Sequence, residues 1–124
     1  MKDVRRSVIA HCLTYPNVFE DQPFSDPNWI VVRHKGGQKR GFAWIYERGG
    51  ALWLNVKCEP ALTGMWQGAF EGIQPGYHMN KEHWISVRLD GSVPEDIVRT
   101  LIGESWRLTG AKARRTKEDS DGSL

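Results

Sequence analysis

The side chains with the chemistry to hold a ligand fall into three groups. The run PGYHMNKEHW, residues 75–84, brings two histidines, a lysine, a glutamate, an asparagine, a tyrosine and a tryptophan into ten residues. His78 and His83 are five apart, which matches neither one helical face nor a common metal-ligand spacing. Lys81 and His83 could instead meet a phosphate, and Asn80 has the side chain to close a local turn. The run RHKGGQKRG holds Arg33, Lys35, Lys39 and Arg40 around a glycine tip, with no acidic residue inside it. A projecting basic ribbon of this kind can reach phosphates in a groove, and the next tip, ERGGA, adds Arg48. The plainer reading is a solvated hairpin edge, where lysine discourages strand-to-strand aggregation. The third group is six tryptophans. Trp66 and Trp106 sit at helical core spacing. Trp44, Trp53 and Trp84 fall in strands, and Trp53 is expected to be the most exposed because Asn55 and Lys57 share its face.

Catalytic patterns are missing from the sequence. It has no nucleophile elbow, phosphate loop, dinucleotide fingerprint or zincin pair, so no catalytic residue, cofactor or enzyme activity is expected. Cys12 and Cys58 lack any C-x-x-C spacing. They read as reduced, buried thiols, and no metal site is expected.

The elements that must position these groups follow from periodicity. A helix is expected over residues 3–14, capped by Asp3 and stopped by Pro16. YPNVFEDQPFSDPN reads as a loop, with Tyr15, Phe19 and Phe24 pinning it to the core. WIVVRH, GFAWIYE and LWLNVK have strand composition, and Gly49-Gly50 suits a tight hairpin turn. In the third of these strands Leu52, Leu54 and Val56 face one way; Trp53, Asn55 and Lys57 face the other, at least partly wet. A helix over 60–70 starts at Pro60 and carries Gly64 and Gly68 one turn apart, a spacing that suggests close approach of another backbone. WISVRL is a further strand. Ser92 and Glu95 have capping-box spacing before a last helix that Gly110 ends. Hairpin-joined strands are antiparallel, so the expected fold is α+β: a two-layer sandwich with helices covering one face of an antiparallel sheet.

The totals agree. A chain of 124 residues is one domain by length, here residues 1–110, followed by a charged tail, 111–124, expected to be disordered. The net charge is +2, so any basic patch is local. No apolar run approaches the roughly 20 residues of a membrane helix, and the N-terminus is too broken for a signal peptide. A cytoplasmic protein without a membrane partner is expected.

The run PGYHMNKEHWISVRLDGSVPEDIVRTLIGESWRL, preceded in order by YPNVFEDQPF, GFAWI and LNVKCEP, resembles the MmcQ/YjbR family of small bacterial proteins. The likeness covers residues 1–109, and YHMNKEHW is its most specific part. It implies an α-β(3)-α-β(2)-α fold similar to secretion-chaperone-like and CyaY-like domains, with a weak strand near residues 72–78. It also implies a double-wing arrangement for binding DNA and no enzyme activity. The wings would be the hairpins at 33–40 and 47–51, the second close to neutral because Glu47 adjoins Arg48. Two functions are therefore expected in competition. One is DNA binding through Arg33, Lys35, Lys39, Arg40, Arg48, Lys81 and His83. The other is a protein-interaction or chaperone-like module using the sheet face around Trp53, as a monomer or weak homodimer.

Overall fold

The computed structural model describes residues 3–110, so the tail expectation falls outside the described residues. Helix α1 (Val4–Cys12) is capped as its sequence suggests: Asp3 Oδ1 accepts from the Arg6 amide at 3.2 Å. Strands β1 (Val18–Asp21), β2 (Ile30–His34), β3 (Gly41–Arg48) and β4 (Ala51–Lys57) follow. Then come α2 (Pro60–Ala69), β5 (Ile73–Pro75), β6 (Trp84–Arg88) and α3 (Glu95–Thr109). The strands form one antiparallel sheet in the order β1-β2-β3-β4-β6-β5. The fold is α+β with three helices, and β5 is the weak strand near residue 73. One element departs from expectation. The segment read as a loop contains β1, which pairs along β2 from Val18 opposite His34 to Asp21 opposite Val31. Four residues between prolines show too little alternation to read as a strand alone; β2 supplies the ladder partner.

Register assigns each side chain to a face. Val32, Ala43, Ile45, Leu54, Val56, Ile85 and Val87 line up across neighbouring strands and form the core with Ile9 and Cys12 of α1 and Val98, Leu101 and Ile102 of α3. Trp66 and Phe70 pack onto the same cluster from α2 and the residue that follows it, so all three helices cover this face. The register slips between Val32 and Arg33, and Phe42 bulges into the core. The opposite face carries Arg33, Trp44, Tyr46, Arg48, Trp53, Asn55, Trp84, Ser86 and Arg88.

Two turns depend on glycine. Gly49 and Gly50, at φ +61 and +79, close β3 onto β4 as a two-residue turn requires. At Gly76 a Cβ would lie 2.7 Å from Trp84 Cβ and 2.9 Å from Trp84 O, so the loop can fold back on β6 only without a side chain there. The expected capping box does not form. The Ser92 amide and hydroxyl both donate to the nearer Asp90 carboxylate, and α3 begins after Pro94 with no side-chain cap.

Two histidines wedge into the helix–sheet interface. His11 packs edge-on against Tyr15, and His34 packs against Phe42 and Trp106 while its Nε2 lies 2.8 Å from Thr109 Oγ1. Burial holds both imidazoles below their ordinary value of 6.5, aided at His11 by Arg99 and opposed there by Glu95. The unfolded chain therefore takes up protons more readily than the folded one. Stability should be level above about pH 6.5 from this source and fall as pH drops below it. Thermal melts at pH 7.5, 6.5 and 5.5 (about one unit either side of the ordinary imidazole value) should show a falling Tm, with the drop reduced in His34→Gln. A Tm unchanged across that interval would contradict it.

Candidate nucleic-acid interface

The basic residues picked out above do not form one patch. In a meander, consecutive hairpins turn at opposite ends of the sheet. The β2–β3 tip with Lys35, Lys39 and Arg40 is therefore separated from the β3–β4 tip beside Arg48 by the length of β3, roughly 25 Å for eight residues. The two tips therefore stand at opposite ends of β3 and not side by side. Arg33 is engaged by an acid that the hairpin itself lacks: its Nε donates to Asp21 Oδ2 at 2.8 Å from the neighbouring β1. Lys35 and Lys39 are exposed and Arg40 is half-buried; none of the three forms an ion pair among the described residues. Lys39 itself adopts a left-handed conformation, φ +56.

Lys81 and His83 have structural work. Lys81 Nζ donates to Gly76 O at 2.8 Å and Met79 O at 3.4 Å, tying the loop to itself. His83 is half-buried, and its carbonyl accepts from the Cys58 amide. Asn80 closes the turn as its side chain suggests, accepting from the Glu82 amide at 2.8 Å. Trp53 lies on the expected face but is only 5% exposed. Arg48 and Arg88 sit over its ring at 5.2 and 5.8 Å, and its Nε1 donates to Arg48 O. The expectation of an exposed Trp53 fails because long side chains from neighbouring strands lie across it.

What the fold does assemble is a second layer on the face opposite the helices. Residues 22–29 and 76–83 lie against that face and bring rings onto it. Trp29 stacks on Tyr46 at 4.2 Å between centroids, 13° from parallel. Phe24, expected in the core, is instead 52% exposed, edge-on to Trp29 and face-on to Trp44. Tyr77 lies 5.7 Å from Tyr46, and the exposed His78 lies tilted against Tyr77 at 4.0 Å. Arg48 covers Tyr77 at 4.1 Å and forms no ion pair among the described residues. Beside it an open groove of about 630 Å³ is lined by Arg5, Asp26, Asn28, Glu47, Arg48 and the two turn glycines.

A buried polar hub holds this layer in place. Asn55 is fully buried, and its Oδ1 accepts from Tyr46 Oη at 2.8 Å and from Ser86 Oγ. Its Nδ2 donates to Tyr77 O at 2.8 Å, while the Tyr77 amide donates to Ser86 Oγ at 2.9 Å. Both backbone groups of Tyr77 are thereby fixed to the sheet, and the next residue, His78, is held at φ +62, an uncommon conformation for a residue with a side chain. Asn28 pins the other loop, exchanging two hydrogen bonds with the Glu47 backbone and receiving Arg5. A polar residue in a strand can read as solvent-facing; here Asn55 anchors the signature loop.

Nucleophilic chemistry is disfavoured at both thiols. Burial pushes Cys12 up to about 12 and raises Cys58, whose neighbours Glu59 and Glu104 add to the effect. Among the described residues no group of three or more His, Cys, Asp or Glu could hold a metal, and no helix is long and apolar enough to cross a membrane.

Comparison with known proteins agrees with this architecture. A family model described as YjbR matches residues 13–108. The uncharacterized protein YyaQ of Bacillus subtilis (strain 168) is 46% identical over 116 residues, covering 85% of this chain and 97% of that protein. The uncharacterized protein YbdF of Escherichia coli O157:H7 is 42% identical over 59 residues, so the match spans 48% of that relative's length. The crystal structure of Deinococcus radiodurans DR2400, with domain DUF419, superposes with a TM-score of 0.80 at 29% identity, covering 97% of this chain and 88% of that one. A crystal structure from Pseudomonas syringae superposes at 0.77 with 29% identity, covering 89% and 100%.

Proposed function

The chain belongs to the YjbR family, and from that premise we propose that it binds single-stranded nucleic acid across the face of the sheet opposite the helices. The observation that carries this reading is the row of partly exposed rings, Phe24, Trp29, Tyr77 and His78, with Arg48 lying against it. Flat rings accept any base by stacking, and adjacent guanidiniums meet the backbone between bases. Arg48 is the first phosphate contact at one end of the face; Lys35, Lys39 and Arg40 extend the track from the other. A duplex keeps its bases stacked inside and offers such rings nothing to cover, whereas a single strand does.

The reading is tested by fluorescence anisotropy with a labelled oligothymidylate of about 12 nucleotides and with duplex DNA of the same length, each at low and moderate salt. Tighter binding of the single strand is expected, falling with salt as contacts from Arg48 and the hairpin-tip cations require. Equal or tighter binding of the duplex would return the function to the hairpin tip. No binding at low salt would remove nucleic acid as the ligand.

A further inference from the structure

The groove beside the ring layer has walls fixed by hydrogen bonds and charges that the fold leaves unpaired. Three segments meet in it. Asn28, from the loop before β2, exchanges side-chain hydrogen bonds with the Glu47 backbone at 2.8 and 3.0 Å. Arg5 of α1 donates to Asn28 O at 2.7 Å and to Asn28 Oδ1 at 3.3 Å, and Asp26 Oδ1 accepts from the Asn28 amide at 2.9 Å. Asn28 precedes Trp29 and Glu47 follows Tyr46, the stacked pair, so the groove continues the ring layer directly. Its volume of about 630 Å³ falls within the range of small-molecule sites. Arg5, Arg48, Asp26 and Glu47 all line it, yet none of the four forms an ion pair with any described residue. Two cations and two carboxylates thus share one space without pairing. Asp26 is engaged by Asn28, whereas the exposed Glu47 carboxylate accepts no hydrogen bond among the described residues.

We propose that this groove is a guanine-selective subsite at one end of the single-strand track, a proposal that rests on the ring-face reading for its class of ligand. The pairing edge of guanine presents two N–H donors side by side and then the O6 acceptor. A carboxylate accepts from two adjacent donors at once, and a guanidinium donates to the oxygen beside them. Cytosine and adenine each turn a nitrogen lone pair toward the acid, and thymine sets its one donor between two carbonyls. Those bases place acceptor against acceptor, which discriminates against them as much as the new bonds favour guanine. Glu47 accepts from N1–H and N2–H. Arg5 spends one N–H of each terminal nitrogen on Asn28 and keeps others for O6. Arg48, lying over Tyr77 at 4.1 Å, meets the phosphate of the same nucleotide.

Amide-resolved NMR titrations of the full chain with guanosine, adenosine, cytidine and thymidine monophosphates, each to about 10 mM, test this. Guanosine monophosphate should bind about tenfold more tightly than the other three, the discrimination expected of one bidentate base contact. It should shift the amides of Asp26, Asn28, Glu47, Gly49 and Gly50. Glu47→Gln keeps the side-chain size and the backbone bonds to Asn28, so it should melt like the parent. It replaces one acceptor with a donor and should bind the four nucleotides alike. Equal binding of the four by the parent, an absence of shifts in the groove, or a preference that survives Glu47→Gln would each overturn the proposal. Oligothymidylate carries no guanine and reads the ring face alone. If it binds while guanine brings no advantage, the subsite falls and the ring face stands. If it fails to bind while guanosine monophosphate shifts the groove, the subsite stands and the ring face falls.

Discussion

Asn55→Ala should lower folding stability by about 3 kcal/mol, a large share of what a domain of this size has to lose. The side chain is completely buried and joins Tyr46, Ser86 and the Tyr77 carbonyl. Alanine leaves those three groups without that partner in a site that also loses volume, and each unsatisfied buried group costs about 1–3 kcal/mol. Tyr46 Oη and Ser86 Oγ, 3.2 Å apart, can still bond one another, which keeps the loss below the full sum. Asn55→Asp should be at least as harmful, since a carboxylate cannot donate to Tyr77 O and would be buried without a cation. Urea denaturation should show a lower midpoint with an unchanged slope. A loss under about 1 kcal/mol would mean that the hub is not what fixes the signature loop.

Trp29→Ala should weaken single-strand binding by about tenfold or more, the loss of one base–aromatic stack. Trp29 stands at the centre of the layer, face-on to Tyr46 and edge-on to Phe24. His78→Ala removes the outermost ring and should cost a similar factor without disturbing the sheet, because His78 is exposed. The triple change Lys35→Ala, Lys39→Ala, Arg40→Ala should act differently. It should weaken binding evenly across sequences and flatten the salt dependence, as lost phosphate contacts do. If the triple variant abolished binding while Trp29→Ala left it intact, the tip and not the sheet face would be the site.

Much of the scaffold is legible in local pattern. The alternation of Leu52, Leu54 and Val56 against Trp53, Asn55 and Lys57 assigns the faces of β4 as register later places them. Asp3 and Pro60 mark helix starts by chemistry that acts within a few residues, and Gly110 follows the last residue of α3 in extended backbone. Alternation tells which face a residue takes but not what covers that face. Asn55 and Trp53 suggest a wet surface, yet residues 76–83 and two arginines close over them, contacts made across the sheet. The same limit hides β1, whose ladder partner lies beyond a loop, and the Asp21 that engages Arg33. The ring layer is the least legible part, because Phe24, Trp29 and Tyr77 come from two loops 47 or more residues apart and only the folded sheet brings them together. The one sequence cue is aromatic residues spaced among prolines in a segment too polar to be core.

Amide-resolved NMR during titration with an oligothymidylate places the ligand directly. The largest shifts are expected at Phe24, Trp29, Arg48, Tyr77 and His78, with smaller ones at Lys35, Lys39 and Arg40. Shifts confined to residues 35–40, or none at all, would contradict binding across the sheet face.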